Sequence, residues 1–394
     1  MNVDAIIVGG GLGGSGLATL LARKGKKVLV LEREEKFKDR IRGENIHPWG
    51  VAVARRIGLV DPLLAGGARS VPFFSVLVMG ETVEKRPTPQ TTPHGEAGLN
   101  MYHPDMQETV LGCAARAGAE VKRGAMVQSV SNRSVTYVEN GKTNTVSARL
   151  IVGADGRNSN LREWGGFDVE RDPNNLRVSG TIVEGTPVPD DSVYLGFGEG
   201  FATFIAPHGN KRARLYFVYP GVTGDRKFSG KEKIPAFLDA IRATRIPAAW
   251  LDGVTVTGPL AEFEGADHWV PSAAKNGVVL LGDAAGASDP SWGSGQAKTL
   301  ADIEDLGTRL CESDDWDAAI AAYAKSHDDR RKKLHSITTW MTELYWTPGP
   351  AADERRMKVS MAMKQDPTGF PDLVGLGPFG PCDESARRKI LALD

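Results

Sequence analysis

Three short stretches of this chain place glycines and a single acid at the end of an apolar run, and these residues could do chemistry. The first is Gly9, Gly11 and Gly14, with Gly13 between, following Ala5 to Val8 and preceding Leu17, Leu20 and Leu21 at helical spacing. In G-x-G-x-x-G the first glycine permits a tight turn, the second lets backbone approach a pyrophosphate, and the third lets helix pack on strand. Glu32 ends the next apolar run, Val28 to Leu31, where a carboxylate can hold the ribose hydroxyls of an adenosine. The second stretch is Gly153-Ala154-Asp155-Gly156, then Ser159 and Arg162; the third is Gly282-Asp283-Ala284-Ala285, then Pro290, Gly293 and Gly295. An aspartate at a strand end can hold a sugar hydroxyl while the following helix N-terminus faces an anion or a carbonyl oxygen. Each segment alone is compatible with a structural turn. Together, in this order, they point to one extended dinucleotide. Arg40 and Arg42, on the polar loop after Glu32, are candidate anion clamps.

Such groups must be held by elements around them. The chain has 394 residues, which suggests two domains with a tail. Alternation of helix and strand at the N-terminus predicts a doubly wound unit. Helices are expected over Pro48 to Leu59 and Tyr102 to Ala117, a strand over Val71 to Val83, and a loop over Arg86 to Gly98. Asn140-Gly141 predicts a hairpin of Ser134 to Val138 with Thr143 to Ser147, separate from the run Leu150 to Val152. Residues 166–270 change to short alternating strands, with one helix from Ile234 to Ile246 and a strand from Gly253 to Pro259. Buried-strand character returns at Gly277 to Leu281, before a helical region from Ser294 to Lys333 broken near Ser313. The expected fold is therefore α/β: a doubly wound, Rossmann-like domain (1–70, 101–165 and 271–335) interrupted by a mostly antiparallel sheet domain (71–100 and 166–270). A helical and irregular C-terminal region (336–394) follows, and ligands should bind where the two domains meet.

Composition bounds the partners. A formal net charge of -1 gives no reason to expect nucleic acid. Cys113, Cys311 and Cys382 are few and far apart, as expected in a reducing compartment. With no signal peptide and no apolar run of membrane length, a cytoplasmic enzyme with no membrane partner is expected. The histidines show no metal spacing, so no metal is expected, and no Ser-His-Asp arrangement can be argued from residue order.

The three segments resemble the fingerprints of the group A FAD-dependent aromatic monooxygenases, the p-hydroxybenzoate hydroxylase-like flavoproteins. That resemblance spans residues 9 to 302 and implies FAD, NAD(P)H and O2, with hydroxylation of a small phenolic or related aromatic through a flavin hydroperoxide. It implies that Gly9, Gly11, Gly13, Gly14, Glu32 and Arg33 serve the adenosine and pyrophosphate half of FAD, with Arg42 near the pyrophosphate or the flavin. Asp283 would bind the ribityl chain, and Pro290, Gly293, Ser294, Gly295, Gln296 and Ala297 would pass the flavin ring. Asp155 and Gly156 would serve both FAD and NAD(P)H, and Asp302 matches an acid common on that helix. Two positions depart from the family pattern: Gly286 replaces a usual histidine, and His103 and Asp105 stand where an arginine commonly reaches FAD. His47, Pro290 and Trp292 are the candidate catalytic residues. Tyr194, Phe197, Phe201, Phe204, Tyr216, Phe217 and Tyr219 are candidate pocket walls, although each also suits a plain sheet core, and His208 reads as part of a turn. Other flavin enzymes on this fold (a halogenase, a reductase, a two-component monooxygenase) and a non-catalytic flavin-binding redox protein are the alternatives. The Trp-x-Trp-x-Ile-Pro signature of halogenases is absent. The protein is expected as a monomer or homodimer.

Overall fold

The computed structural model describes residues 2–78, 80–131, 133–173, 176–198, 200–221 and 228–393. The short apolar runs Ala5 to Val8 and Val28 to Leu31 suit strands covered on both faces, and they lie at the centre of the molecule. Val278–Leu280, Lys142–Gly153, Asn2–Val8, Val28–Leu31 and Glu120–Lys122 lie side by side in that order, all parallel. Ala5, Ile6, Ile7 and Val30 have no exposed surface, the signature of a doubly covered parallel sheet. The crossover helix Leu12–Arg23 packs against the helices His103–Arg116 and Gly295–Glu312.

The second sheet runs Thr255–Val256, Leu176–Glu184, Arg212–Pro220, Ala202–Gly209, Ser192–Phe197, Phe73–Val78, Glu81–Pro87. It is antiparallel except where Ser192–Phe197 meets Phe73–Val78. Helix Ile234–Ala243 covers one face through Phe237 and Ile241, packed with Leu215, Phe217 and Tyr219. The doubly wound unit, the mostly antiparallel sheet and the helical C-terminal region are the fold class read from the sequence.

Several local expectations need correction. The run Val71 to Val83 is two paired strands, Phe73–Val78 and Glu81–Pro87, separated by Gly80 at φ +88°. The second continues to Pro87, and Thr88–Thr91 is a short helix, so the expected loop is partly regular. Lys142–Gly153 is one strand, because alternation persists through Arg149 before the last four residues become fully buried. The strand expected from Gly253 to Pro259 shrinks to Thr255–Val256; Ala261–Glu264 takes the next place along the same partner. The helix expected to reach Ile246 stops at Ala243, where the Thr244 hydroxyl donates to the Ile241 carbonyl at 2.6 Å.

The helix after the break near Ser313 runs from Trp316 to Trp346, well past Lys333. It is followed by Pro350–Gln365 and Glu384–Leu391. Trp49 ties this region to the first domain: it is 1% exposed, and its Nε1 donates to the Leu373 carbonyl at 3.0 Å. No helix among the described residues is long and apolar enough to cross a membrane.

Candidate cofactor and substrate site

The first glycine segment leaves backbone where side chains would collide. A Cβ at Gly14 would lie 1.9 Å from the Gly9 carbonyl oxygen, and one at Gly9, already at φ +101°, would lie 2.4 Å from that of Ala154. A Cβ at Gly13 would press on Leu281 at 2.5 Å. Gly11 differs. It caps helix Leu12–Arg23 at φ -70°, and an added Cβ would meet only the Gln107 amide at 3.3 Å. No side chain caps that helix, so its first N–H groups face the space that Gly11 keeps clear, an arrangement suited to a pyrophosphate. Glu32 sits beside it, its Oε2 accepting from Gly10 N at 2.7 Å and its Oε1 from Glu34 N at 2.8 Å. Each carboxylate oxygen has a further lone pair for a ribose hydroxyl. Arg33 is not drawn in: its side chain is 59% exposed and lies 3.7 Å from Glu34.

These geometries separate folding from binding at Gly11. Gly11→Val should leave the apoprotein's far-UV circular dichroism unchanged and weaken FAD retention roughly 10–100-fold, the equivalent of an overpacking clash of about 1.4–2.7 kcal/mol. Fluorescence titration of apoprotein with FAD measures it; unaltered affinity would remove the pyrophosphate from this turn.

The second and third segments pack beside the first: the Gly9 turn abuts Ala154, and Gly13 abuts Leu281. Asp155 Oδ2 accepts from Asn160 N and Leu161 N at 2.8 and 3.2 Å, while its buried Oδ1 has no partner. Gly156, at φ +81°, opens onto space in which a Cβ meets nothing within 4 Å. Asp283, in the turn Gly282–Ala284, lies 3.9 Å from Lys298 Nζ. Burial pushes the Arg42 guanidinium's pKa down, against the pull of the nearby Asp283 charge. Helix Gly295–Glu312 starts without a side-chain cap, and the buried Ser294 Oγ and Gln296 Oε1 have no partner. Gln296 Nε2 donates to the Gly43 carbonyl, closing the Arg42 loop over this helix start. Ala297 is buried against Gly50, where a Cβ would come within 2.4 Å. Buried orphan polar atoms beside an uncapped helix, and a glycine cradle beside Glu32, fit a bound FAD. Glu32 would hold its adenosine, the Gly11 turn its pyrophosphate, Asp283 its ribityl chain, and Ser294 to Gln296 its ring edge.

His103 does not point away as an arginine substitute: its Nδ1 lies 3.0 Å from the Gly43 carbonyl oxygen. Asp105 is exposed. Asp302 is fully buried between Gly282 N (3.2 Å), His327 Nδ1 (3.0 Å) and Arg330 (3.1 Å). Although burial opposes ionisation, His327 and Arg330 hold its carboxyl well below the usual range. It supports the third glycine turn from behind.

In front of the helix start lies His47, 2% exposed, at the head of helix Pro48–Arg56. Its Nε2 is 3.0 Å from the Trp292 carbonyl oxygen, which can only accept, so the proton resides on Nε2. Nδ1 is then a bare acceptor, and it has no partner. Burial pushes the imidazole pKa below 6.5, against the hydrogen bond to Trp292, so the neutral form is favoured. Gly293, at φ +68°, allows this approach: a Cβ there would sit 3.2 Å from His47 Nε2. Asp289 caps the turn Pro290–Trp292, accepting from Ser291 N at 2.9 Å, and burial raises its pKa to about 7. Trp292 Nε1 donates to Thr342 Oγ1 at 3.0 Å, so its ring is a fixed wall.

His47, Ser291 and Trp292 form one end of a cavity of about 1120 Å³ between the second sheet and the C-terminal helices. Of the seven sheet aromatics, Phe197, Phe201 and Phe204 line it. Tyr194, Phe217 and Tyr219 instead pack in the sheet core, and Tyr216 donates to the Arg42 carbonyl at 2.6 Å. His208 is not in a turn but within strand Ala202–Gly209, 2.7 Å from Glu44; the chain reverses at Asn210 and Lys211. Further walls, Met341, Tyr345, Trp346 and Met357, come from the tail and escaped the sequence reading. Leu334, Ile337, Met341 and Leu344 recur at helical spacing there, a signal that could have found the covering helix. Folding also brings His335 to 2.7 Å from Asp172, with Asp267 close by, a grouping that residue spacing does not announce.

A family model described as "FAD binding domain" matches residues 2–339, and the chain belongs to that family. The match bears out the resemblance drawn from the three glycine segments. Among curated relatives, digeranylgeranylglycerophospholipid reductase 1 of Methanococcoides burtonii is 26% identical over 348 residues, covering 84% of this chain and 77% of that protein. Rifampicin monooxygenase of Rhodococcus hoagii is 28% identical over 370 residues, covering 89% and 74%. The crystal structure of p-nitrophenol 4-monooxygenase PnpA from Pseudomonas putida DLL-E4 superposes with a TM-score of 0.78 at 18% identity, over 99% of this chain and 97% of that one, a likeness of fold.

Proposed function

We propose that this protein is a monooxygenase that uses FAD, NAD(P)H and O2 to hydroxylate an aromatic ring bearing a hydroxyl or amino group. Bound FAD supplies the redox chemistry, accepting reducing equivalents and activating oxygen. The chain supplies position, proton handling and exclusion of water. His47 borders the cavity, and its Nδ1, a neutral acceptor enclosed by protein and without a partner, takes the hydrogen bond or proton of the substrate hydroxyl once a small shift of the wall uncovers it, and so makes the ring more electron-rich. Pro290 and Trp292 fix the backbone at the inner end of the cavity and keep His47 in one tautomer. Phe204, Trp292 and Tyr345 give a planar substrate apolar walls, and a substrate that fills the space beside them excludes water from the reacting atoms. The observation that carries the reading is the unpartnered, tautomer-locked His47 between the uncapped start of helix Gly295–Glu312 and an aromatic-lined cavity.

A second reading, reduction of a carbon–carbon double bond, is favoured by the name of the Methanococcoides relative. It needs NAD(P)H or another reductant but no oxygen. Purified protein should be yellow and should consume NAD(P)H and O2 together when phenols are added. Consumption of NAD(P)H with no oxygen uptake favours the reductase, and oxygen uptake without NAD(P)H oxidation excludes self-contained turnover.

A further inference from the structure

The cavity is much larger than a single-ring phenol needs. Its volume of about 1120 Å³ slightly exceeds the roughly 300–1,000 Å³ of pockets that hold drug-sized ligands. A small phenol beside His47 would leave most of that space to water, which the site must exclude. Much of the wall away from His47 is apolar: Phe74, Val76 and Leu195 from the sheet, Met341, Tyr345 and Trp346 from the long helix.

Two ion pairs in the wall are closed among themselves, while Glu84, Arg245 and Lys364 also border the cavity. Arg86 makes a two-pronged pair with Asp372 at 2.9 and 2.7 Å. Arg356 pairs with Asp353 and donates to the carbonyls of Leu344 and Thr347, each at 2.9 Å. A ligand carboxylate there would have to compete with these pairs. At the outer end Val78, Val83 and Met357 line the cavity yet are 41%, 50% and 61% exposed. Large apolar side chains left in water at a cavity mouth gain if a ligand's apolar body covers them.

Resting on the proposed hydroxylase reading, we propose that the substrate is an uncharged aromatic alcohol carrying an extended apolar body. Its hydroxyl meets His47, and its body runs beneath Tyr345 and Trp346 to the mouth at Val83 and Met357. This replaces the small phenolic or related aromatic that the resemblance implies.

Calorimetric titration of the FAD-loaded protein with para-propylphenol, para-hexylphenol and para-hydroxybenzoate tests the proposal without relying on turnover. Buried methylenes should tighten binding about fourfold each, so hexylphenol should bind on the order of fifty-fold tighter than propylphenol. The benzoate should bind no better than propylphenol. Met357→Glu, at an exposed position, should shrink the hexyl-to-propyl ratio at least several-fold. Equal affinity for the two alkylphenols, tightest binding of the benzoate, or an unchanged ratio in Met357→Glu would each overturn it. If propylphenol is hydroxylated although affinities do not rise with chain length, only this inference fails. If affinity rises with chain length but no phenol drives NAD(P)H and O2 consumption, the hydroxylase reading fails instead.

Discussion

Replacing His47 by phenylalanine should lower kcat/KM for a phenolic substrate by about 10²–10⁴-fold, the range for loss of a positioned general base, while FAD stays bound. Phenylalanine fills the space of the ring but offers no acceptor at the Nδ1 position. It also strands the Trp292 carbonyl, a stability cost of about 1–3 kcal/mol. The pH profile separates catalysis from that structural cost. Burial holds the His47 pKa below 6.5, so the wild-type base is available above that value. Activity should fall as pH drops through the lowered pKa and the imidazole becomes charged. His47→Phe should lack this acid limb and be uniformly slow. Equal rates, or a variant retaining the wild-type acid limb, would take His47 out of the chemistry.

The second large effect lies beneath the Arg42 loop. Arg214, with no exposed surface, donates from Nε to Glu44 at 3.0 Å and from Nη2 to Glu44 at 2.7 Å and to Asp39 at 2.9 Å. Glu44, 1% exposed, also faces His208. Arg214→Met would leave that carboxylate buried with too little positive charge. Breaking a buried pair from one side costs about 3–5 kcal/mol, readable as a lowered denaturant midpoint. The double variant Glu44→Gln with Arg214→Met should cost less than the sum of the singles. Burial alone would push the Glu44 carboxyl's pKa up, but His208 and Arg214 hold it at about 2, below its ordinary 4.5. The depressed value contributes stability that is fully present above about pH 4.5 and lost as pH falls toward 2. Arg214→Met should flatten that acid limb. An unchanged limb would mean that Glu44 is not held by this cation. Because Glu44 neighbours Gly43, which Gln296 grips, the variant should also loosen FAD.

These expectations show which parts of the molecule were readable in advance. Ala5 to Val8, Val28 to Leu31 and the glycines between them announce themselves because buried parallel strands and close backbone approach admit few residue types. The antiparallel sheet was readable from alternation. The Arg214–Glu44–His208 group was not, because its members lie 170 and 164 positions apart and only folding joins them. The cavity roof was missed for another reason: aromatic and methionine residues on the last helices look like ordinary packing until the opposing wall is present. Sheet aromatics point to alternate faces, so Phe204 reached the cavity while Phe217 entered the core. The sequence marked both as candidates but could not choose which face met the ligand.

The most direct test is mass spectrometry of the product formed from para-hexylphenol and NAD(P)H under isotopically heavy oxygen gas. A flavin hydroxylase acting as described here places one heavy oxygen atom on the ring, with the label absent when heavy water replaces the heavy gas. Product without the label, or a reduced product formed equally well without oxygen, would contradict the account.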